Sequence, residues 1–93
     1  METNSNKITE DEAKKKVIEM FNALSKAELK VAELIAKDMS NKEIAAKIFR
    51  SEHTVRNHIS NIMKKLPVSS RVGIALFYLA QLDNLEGFKL EYE

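Results

Sequence analysis

The chain has 93 residues, 44% of them hydrophobic and 31% charged, with no cysteine and a formal net charge of +1. A single domain of this size buries only roughly 60–65% of its unfolded surface, too thin a core for a deep catalytic pocket. The missing thiols exclude a disulfide framework and a thiolate metal site. No apolar run reaches the ~18 residues of a membrane span, and the polar opening METNSNKITEDEAKKK lacks a signal peptide's apolar stretch, so the cytoplasm is the default location.

In chain order the sequence predicts helices joined by short connections. Only two Gly and one Pro interrupt it, and Ser or Thr stands three residues before Glu at Thr9/Glu12, Ser25/Glu28 and Ser40/Glu43. Each pair fits a capping box, in which hydroxyl and carboxylate satisfy each other's orphan backbone donors. The first helix is expected over residues 10–21, with Ala13, Val17, Met20 and Leu24 at helical spacing and Ile18 and Phe21 beside them. The second, 26–37, should bury Leu29, Val31, Leu34 and Ile35 and end at Asp38, a residue type tolerant of the left-handed conformation. The third, 41–49, should bury Ile44, Ala45 and Ile48. The fourth, 52–66, opens on Ser51 as an N-cap without a returning carboxylate, and Pro67 ends it. The fifth covers about 70–82. The closing GFKLEYE alternates Phe88, Leu90 and Tyr92 with polar residues, which reads as a short strand in need of a partner.

The charge becomes informative when it is divided along the chain. Residues 1–38 carry seven Lys and eight acids, net −1; residues 39–71 carry seven Lys or Arg against Glu43 and Glu52, net +5; residues 72–93 carry one Lys against four acids, net −3. No acid occurs from His53 to Leu82. A solvated helix surface usually mixes both signs, so a one-signed centre is the footprint of a polyanion site.

The third and fourth helices, separated by residues 49–51, form a helix-turn-helix candidate. At about 100° per residue, Val55, Ile59, Ile62 and Leu66 of the fourth helix share one narrow arc, the core face. The opposite arc holds His53, Asn57, Ser60 and Lys64, flanked by Arg56 and Asn61. That is major-groove chemistry: Arg grips guanine O6 and N7, Asn grips adenine N6 and N7. Residues early in such a helix reach bases and later ones meet the backbone, which assigns base contacts to Arg56, Asn57 and Ser60 and phosphate to Lys64 and Lys65. The helix starts at Ser40 and Ser51 turn backbone N–H groups outward for phosphate, and Lys42 stands beside the first of them.

These residues also carry a resemblance. The stretch LSKAELKVAELIAKDMSNKEIAAKIFRSEHTVRNHISNIMKKLPVSSRVGIAL resembles the LuxR-type helix-turn-helix domain, and within that family the stand-alone GerE-like regulators. TVRNHISN, followed two residues on by KKL, is the most specific segment. Leu24-Ser25 with Glu28, the run from Ser40 to Ala45, Ser51-Glu52 with Thr54-Val55, and Ser70-Arg71 recur in order. The resemblance implies an all-α, LuxR/GerE-like bundle of four helices over residues 24–82. An N-terminal extension with an extra helix (1–23) and an acidic tail (83–93) flank it. It implies a sequence-specific DNA-binding transcriptional regulator and not an enzyme, with its reader at 52–66 and further backbone contacts at Thr54 and the helix start at Ser40. Asp38 and Pro67 stand where the family usually has Gly, and Arg50 replaces an apolar residue, free to reach a phosphate. No receiver or ligand-binding domain precedes the motif, so control by concentration or a partner is expected rather than phosphorylation of an attached domain.

Competing readings are weaker. His53 and His58 lie roughly 140° apart on a helix, too far to share an ion, so no metal site and no cofactor is expected. There is no Cys nucleophile, no Gly-rich phosphate loop and no acid on the face that carries the histidines, which argues against catalysis. Lys14, Lys15 and Lys16 lie among Glu10, Asp11, Glu12 and Glu19, a solvated face, and Met20, Met39 and Met63 are core fillers. RNA binding is disfavoured because no aromatic residue lines the basic face. A protein-interaction module that binds RNA polymerase or another regulator is the alternative to double-stranded DNA as the partner. On the fifth helix Ile74, Ala75, Tyr78 and Leu82 form one apolar stripe, and Val72, Leu76 and Leu79 a second. The resemblance turns Ile74, Ala75 and Tyr78 inward and leaves the second stripe to a two-fold related copy, giving a homodimer on half-sites about one DNA turn apart. So small a patch falls short of the ~1,200 Å² of a stable complex, so pairing is expected on DNA unless the first helix or residues 88–92 add contact.

Overall fold

A computed structural model describes the chain from residue 9 to residue 92, and these residues form five helices and no strand. They are α1 (Glu10–Asn22), α2 (Lys26–Ala36), α3 (Asn41–Ile48), α4 (Glu52–Lys65) and α5 (Arg71–Tyr92). Their starts follow the local chemistry of the sequence. In each of the three capping boxes the hydroxyl accepts from the N3 amide at 3.1 Å and the Glu carboxylate accepts from the cap amide at 2.8–3.0 Å. Ser51 caps α4 through its hydroxyl alone, accepting from the Thr54 amide at 3.1 Å. The ends are also local: Asp38 takes φ 63° just beyond α2, and Leu66 is extended ahead of Pro67.

Helix α2 is the hub, packed against both α5 and α4, while α3 lies on α4. The core it organises contains Val31, Ala32, Leu34 and Ile35 of α2, Ile44 and Ala45 of α3, Val55 and Ile62 of α4, Leu66 and Ile74. Phe21 and Leu24 extend this core from the end of α1. Phe21 is the anchor of α1, its ring centroid 5.3 Å from that of Phe77 and 6.0 Å from that of Tyr78 on α5.

Three expectations fail. The strand expected in GFKLEYE does not form: α5 continues unbroken to Tyr92. Alternation over five residues cannot satisfy a strand's backbone without a partner, whereas helix extension pairs each new N–H within the chain. Gly87 weakens that extension by about 1 kcal/mol relative to Ala but does not stop it. Leu29 is not a core residue but 40% exposed. At about 100° per residue it lies roughly 140° from the middle of the arc that carries Glu28, Val31, Ala32, Leu34 and Ile35. Ala13 and Ile18 likewise stay exposed, because α1 meets the core only along one side of its second half, at Val17, Met20 and Phe21.

No helix among the described residues is long and apolar enough to cross a membrane.

Candidate nucleic-acid interface

Helix α4 is built as a two-faced element. Val55 and Ile62 are fully buried, Leu66 follows just beyond the helix, and Ile59 and Met63 pack against the core from its edges. The opposite face is exposed from His53 through Arg56, Asn57, Ser60 and Asn61 to Lys64. Glu52 is the acid on this helix, at its first position. From His53 onward the outward face thus offers donors, amides and cations without a carboxylate. His58 is half-buried at the margin. Among the described residues no group of three His, Asp or Glu converges on a common point.

Hydrogen-bond accounting at the helix starts says which groups remain available. The capping box at Ser40 engages the Ser40 amide and the Glu43 amide. An α-helix leaves its first amides without an internal partner, which holds here for Asn41 and Lys42. At Ser51 the hydroxyl accepts from the Thr54 amide and donates to Thr54 Oγ1 at 3.1 Å. The Thr54 hydroxyl proton is therefore the free one of that pair. Arg50 is exposed, its guanidinium resting on the Phe49 carbonyl at 3.3 Å.

Of the candidate cations, Lys65 has a carboxylate partner. Its ammonium donates to Glu28 Oε1 at 2.8 Å, and the Glu28 side chain is only 6% exposed against 37% for Lys65. Burial pushes the Glu28 carboxyl up, but the Lys65 ammonium and the Ser25 amide outweigh it and hold its pKa below the ordinary value. The carboxylate that closes the α2 capping box thus also fastens the far end of α4 to α2.

Arg71, which sequence reasoning placed only as part of a motif, ties two helix starts together. Its guanidinium donates to Asn41 Oδ1 at 2.6 Å and to the Met39 carbonyl, tying the start of α5 to the start of α3. Beyond the Ser70-Arg71 motif, the hint in the sequence is its isolation, as the one charged residue between Lys65 and Asp83. Lys42, Glu43, Glu52 and Arg71 share a shallow cleft at that junction, so the start of α3 is not uniformly cationic.

On α5, Ile74 is buried and Ala75, Phe77 and Tyr78 pack against the core. Val72, Leu76 and Leu79 remain 65%, 63% and 44% exposed. At about 100° per residue they fall within a 60° arc opposite the core stripe. The side chains of Phe88, Leu90 and Tyr92 lie outside the described residues.

Residues 22–78 match the model of the family described as bacterial regulatory proteins, luxR family. The chain belongs to the luxR family. Spore germination protein GerE of Bacillus subtilis is 45% identical over 73 residues, which cover 78% of this chain and 97% of GerE. The nitrate/nitrite response regulator protein NarP of Escherichia coli is 43% identical over 61 residues, 66% of this chain but 28% of NarP. The uncharacterized transcriptional regulatory protein YhcZ of B. subtilis is 48% identical over 59 residues, again 28% of that protein. Only in GerE, of these three luxR-family relatives, does the similarity run nearly end to end. No solved structure matches the chain.

Proposed function

We propose that this luxR-family protein is a sequence-specific DNA-binding transcriptional regulator that inserts α4 into the major groove. The observation that carries the reading is the outward face of α4: Arg56, Asn57 and Ser60 exposed in its first half, on a helix whose opposite face is locked into the core. Bidentate donors on a rigid element are what base-edge discrimination requires. Phosphates on either side are assigned to the free amides at the start of α3, to Lys42, to the helix start at Ser51 and the Thr54 hydroxyl, to Arg50 and to Lys64. Lys65 joins them only if it leaves Glu28. The exposed stripe Val72, Leu76 and Leu79 is assigned to a second copy, which places two readers on a roughly palindromic site.

The test is selection of bound sequences from a random duplex pool, followed by titration of variants against the selected site. Arg56→Ala and Asn57→Ala should each weaken binding by ~1–3 kcal/mol and relax selectivity at one base pair. Lys64→Ala should weaken all sequences alike and lower the salt slope by about one counterion per half-site. An unchanged consensus for both Arg56→Ala and Asn57→Ala would refute this assignment of the face.

A further inference from the structure

The turn between α3 and α4 contains a side chain that the fold does not explain. Phe49 closes α3 in the left-handed conformation, φ 59° and ψ 47°. Glycine adopts that conformation freely, whereas a residue with a Cβ is crowded in it. The other residue with positive φ is Asp38, of a type that visits this region several times more often than most. Phe49 does not recover the strain by burial: it is 86% exposed, the most exposed large hydrophobic residue of the described chain. Nor does the turn need a ring. The backbone bonds that shape it, from the Phe49 and Arg50 amides to the Ala45 carbonyl, are made by main-chain groups alone.

Strained backbone positions cluster at functional sites, and the place of Phe49 indicates which function. Phe49 lies two residues before the Ser51 cap, within about 8 Å of it along the chain, at the end of α4 that leads into the groove. Its near neighbours Lys47 and Arg50 are exposed cations, so the expectation that no aromatic residue lines the basic face fails at this one position. A ring between two cations suits a surface that alternates phosphate with apolar edges, as duplex DNA does with its sugars and thymine methyls.

We propose that Phe49 is a DNA contact. Its ring packs on the apolar rim of the groove, beside the bases assigned to Arg56 and Asn57, with Lys47 and Arg50 on the adjacent phosphates. This rests on the reading of α4 as the recognition helix. It makes the turn a second source of specificity, expressed as a preference for thymine in the flank.

The test uses the full chain and the duplex selected by the wild type. Phe49→Gly removes ring and strain together; Phe49→Asn, also tolerant of the left-handed region, is the second variant. Both should melt no lower than wild type, yet bind about tenfold more weakly, the effect of losing one good apolar contact. Replacing flanking thymines by deoxyuridine should weaken the wild type and leave Phe49→Gly unaffected; weakening of neither overturns the thymine preference and leaves the ring a contact to the sugar rim alone. Arg56→Ala is the control. If it binds poorly while both Phe49 variants bind like wild type, the inference is overturned and the recognition helix stands. A Phe49→Gly protein that binds normally but no longer supports transcription from that site would give the ring to a protein partner, which also overturns it. If Arg56→Ala, Asn57→Ala and the Phe49 variants all bind like wild type, the reading of α4 has failed and the inference with it.

Discussion

Severing the pair that fastens α4 to α2 should harm the protein unequally from its two sides. At the 2.8 Å that separates Lys65 Nζ from Glu28 Oε1, Coulomb attraction is about 6 kcal/mol at an effective dielectric of ~20 and about 1.5 kcal/mol in bulk water. The ammonium is 37% exposed, so water screens the pair and we expect a coupling of about 1–2 kcal/mol. Glu28→Gln keeps an acceptor for the Ser25 amide and frees Lys65 to reach solvent, a loss of about 1.5 kcal/mol. Lys65→Met keeps the apolar stem but strands a buried carboxylate, and should cost about 2–3 kcal/mol. Chemical denaturation of both single variants and the double variant measures all of these, and each kcal/mol should appear as about 4–8 °C in Tm. The pH dependence is a second readout. The Glu28 carboxyl is held below its ordinary value of 4.5 in the folded chain. The pair's stability is therefore fully present above that ordinary value and lost as pH falls through the lower folded value. In Lys65→Met burial acts without the ammonium, so the deficit against wild type should narrow as the pH drops below about 4.5. If Lys65→Met is no more destabilising than Glu28→Gln, or the coupling is below about 0.5 kcal/mol, the pair does not hold α4 in place. The same variants decide the role of Lys65 on DNA. Release by Glu28→Gln should tighten binding if Lys65 reaches a phosphate, and leave it unchanged if it does not.

Two further outcomes follow from the exposed stripe and from the turn after α2. Leu76→Asp, at a position 63% exposed, should keep its helicity by circular dichroism but lose the dimer in sedimentation and cooperativity on DNA. A folded variant that still pairs normally would move the interface elsewhere, α1 being the next candidate. Asp38, at φ 63°, should accept Gly at no loss of stability, whereas Asp38→Val should lose about 1–2 kcal/mol from crowding of its branched Cβ. Equal melting temperatures for the two would remove the left-handed turn as a determinant of the fold.

Whatever depends on residues three or four apart was legible in the sequence. The capping boxes at Thr9, Ser25 and Ser40, the lone cap at Ser51 and the stop at Pro67 all appear where the local chemistry puts them. The core face of α4 was legible for the same reason, because Val55, Ile62 and Leu66 repeat at the pitch of the helix. The sequence alone could therefore set out a helix-turn-helix and say which residues of its second helix face outward. Local period did not decide which of several apolar residues the core accepts. Leu29 looked as eligible as Val31, and only the approach of α4 and α5 to one side of α2 excluded it. Period also misled at the tail, where alternation in GFKLEYE suggested a strand and the absence of a partner made it helix. The bonds from Lys65 to Glu28 and from Arg71 to Asn41 span 37 and 30 residues. No spacing rule reaches that far, since such pairs meet only after the core has set the angles between helices. Phe49 belongs with them: its identity was in the sequence, but its strain and its exposure are properties of the turn that the packed helices enforce.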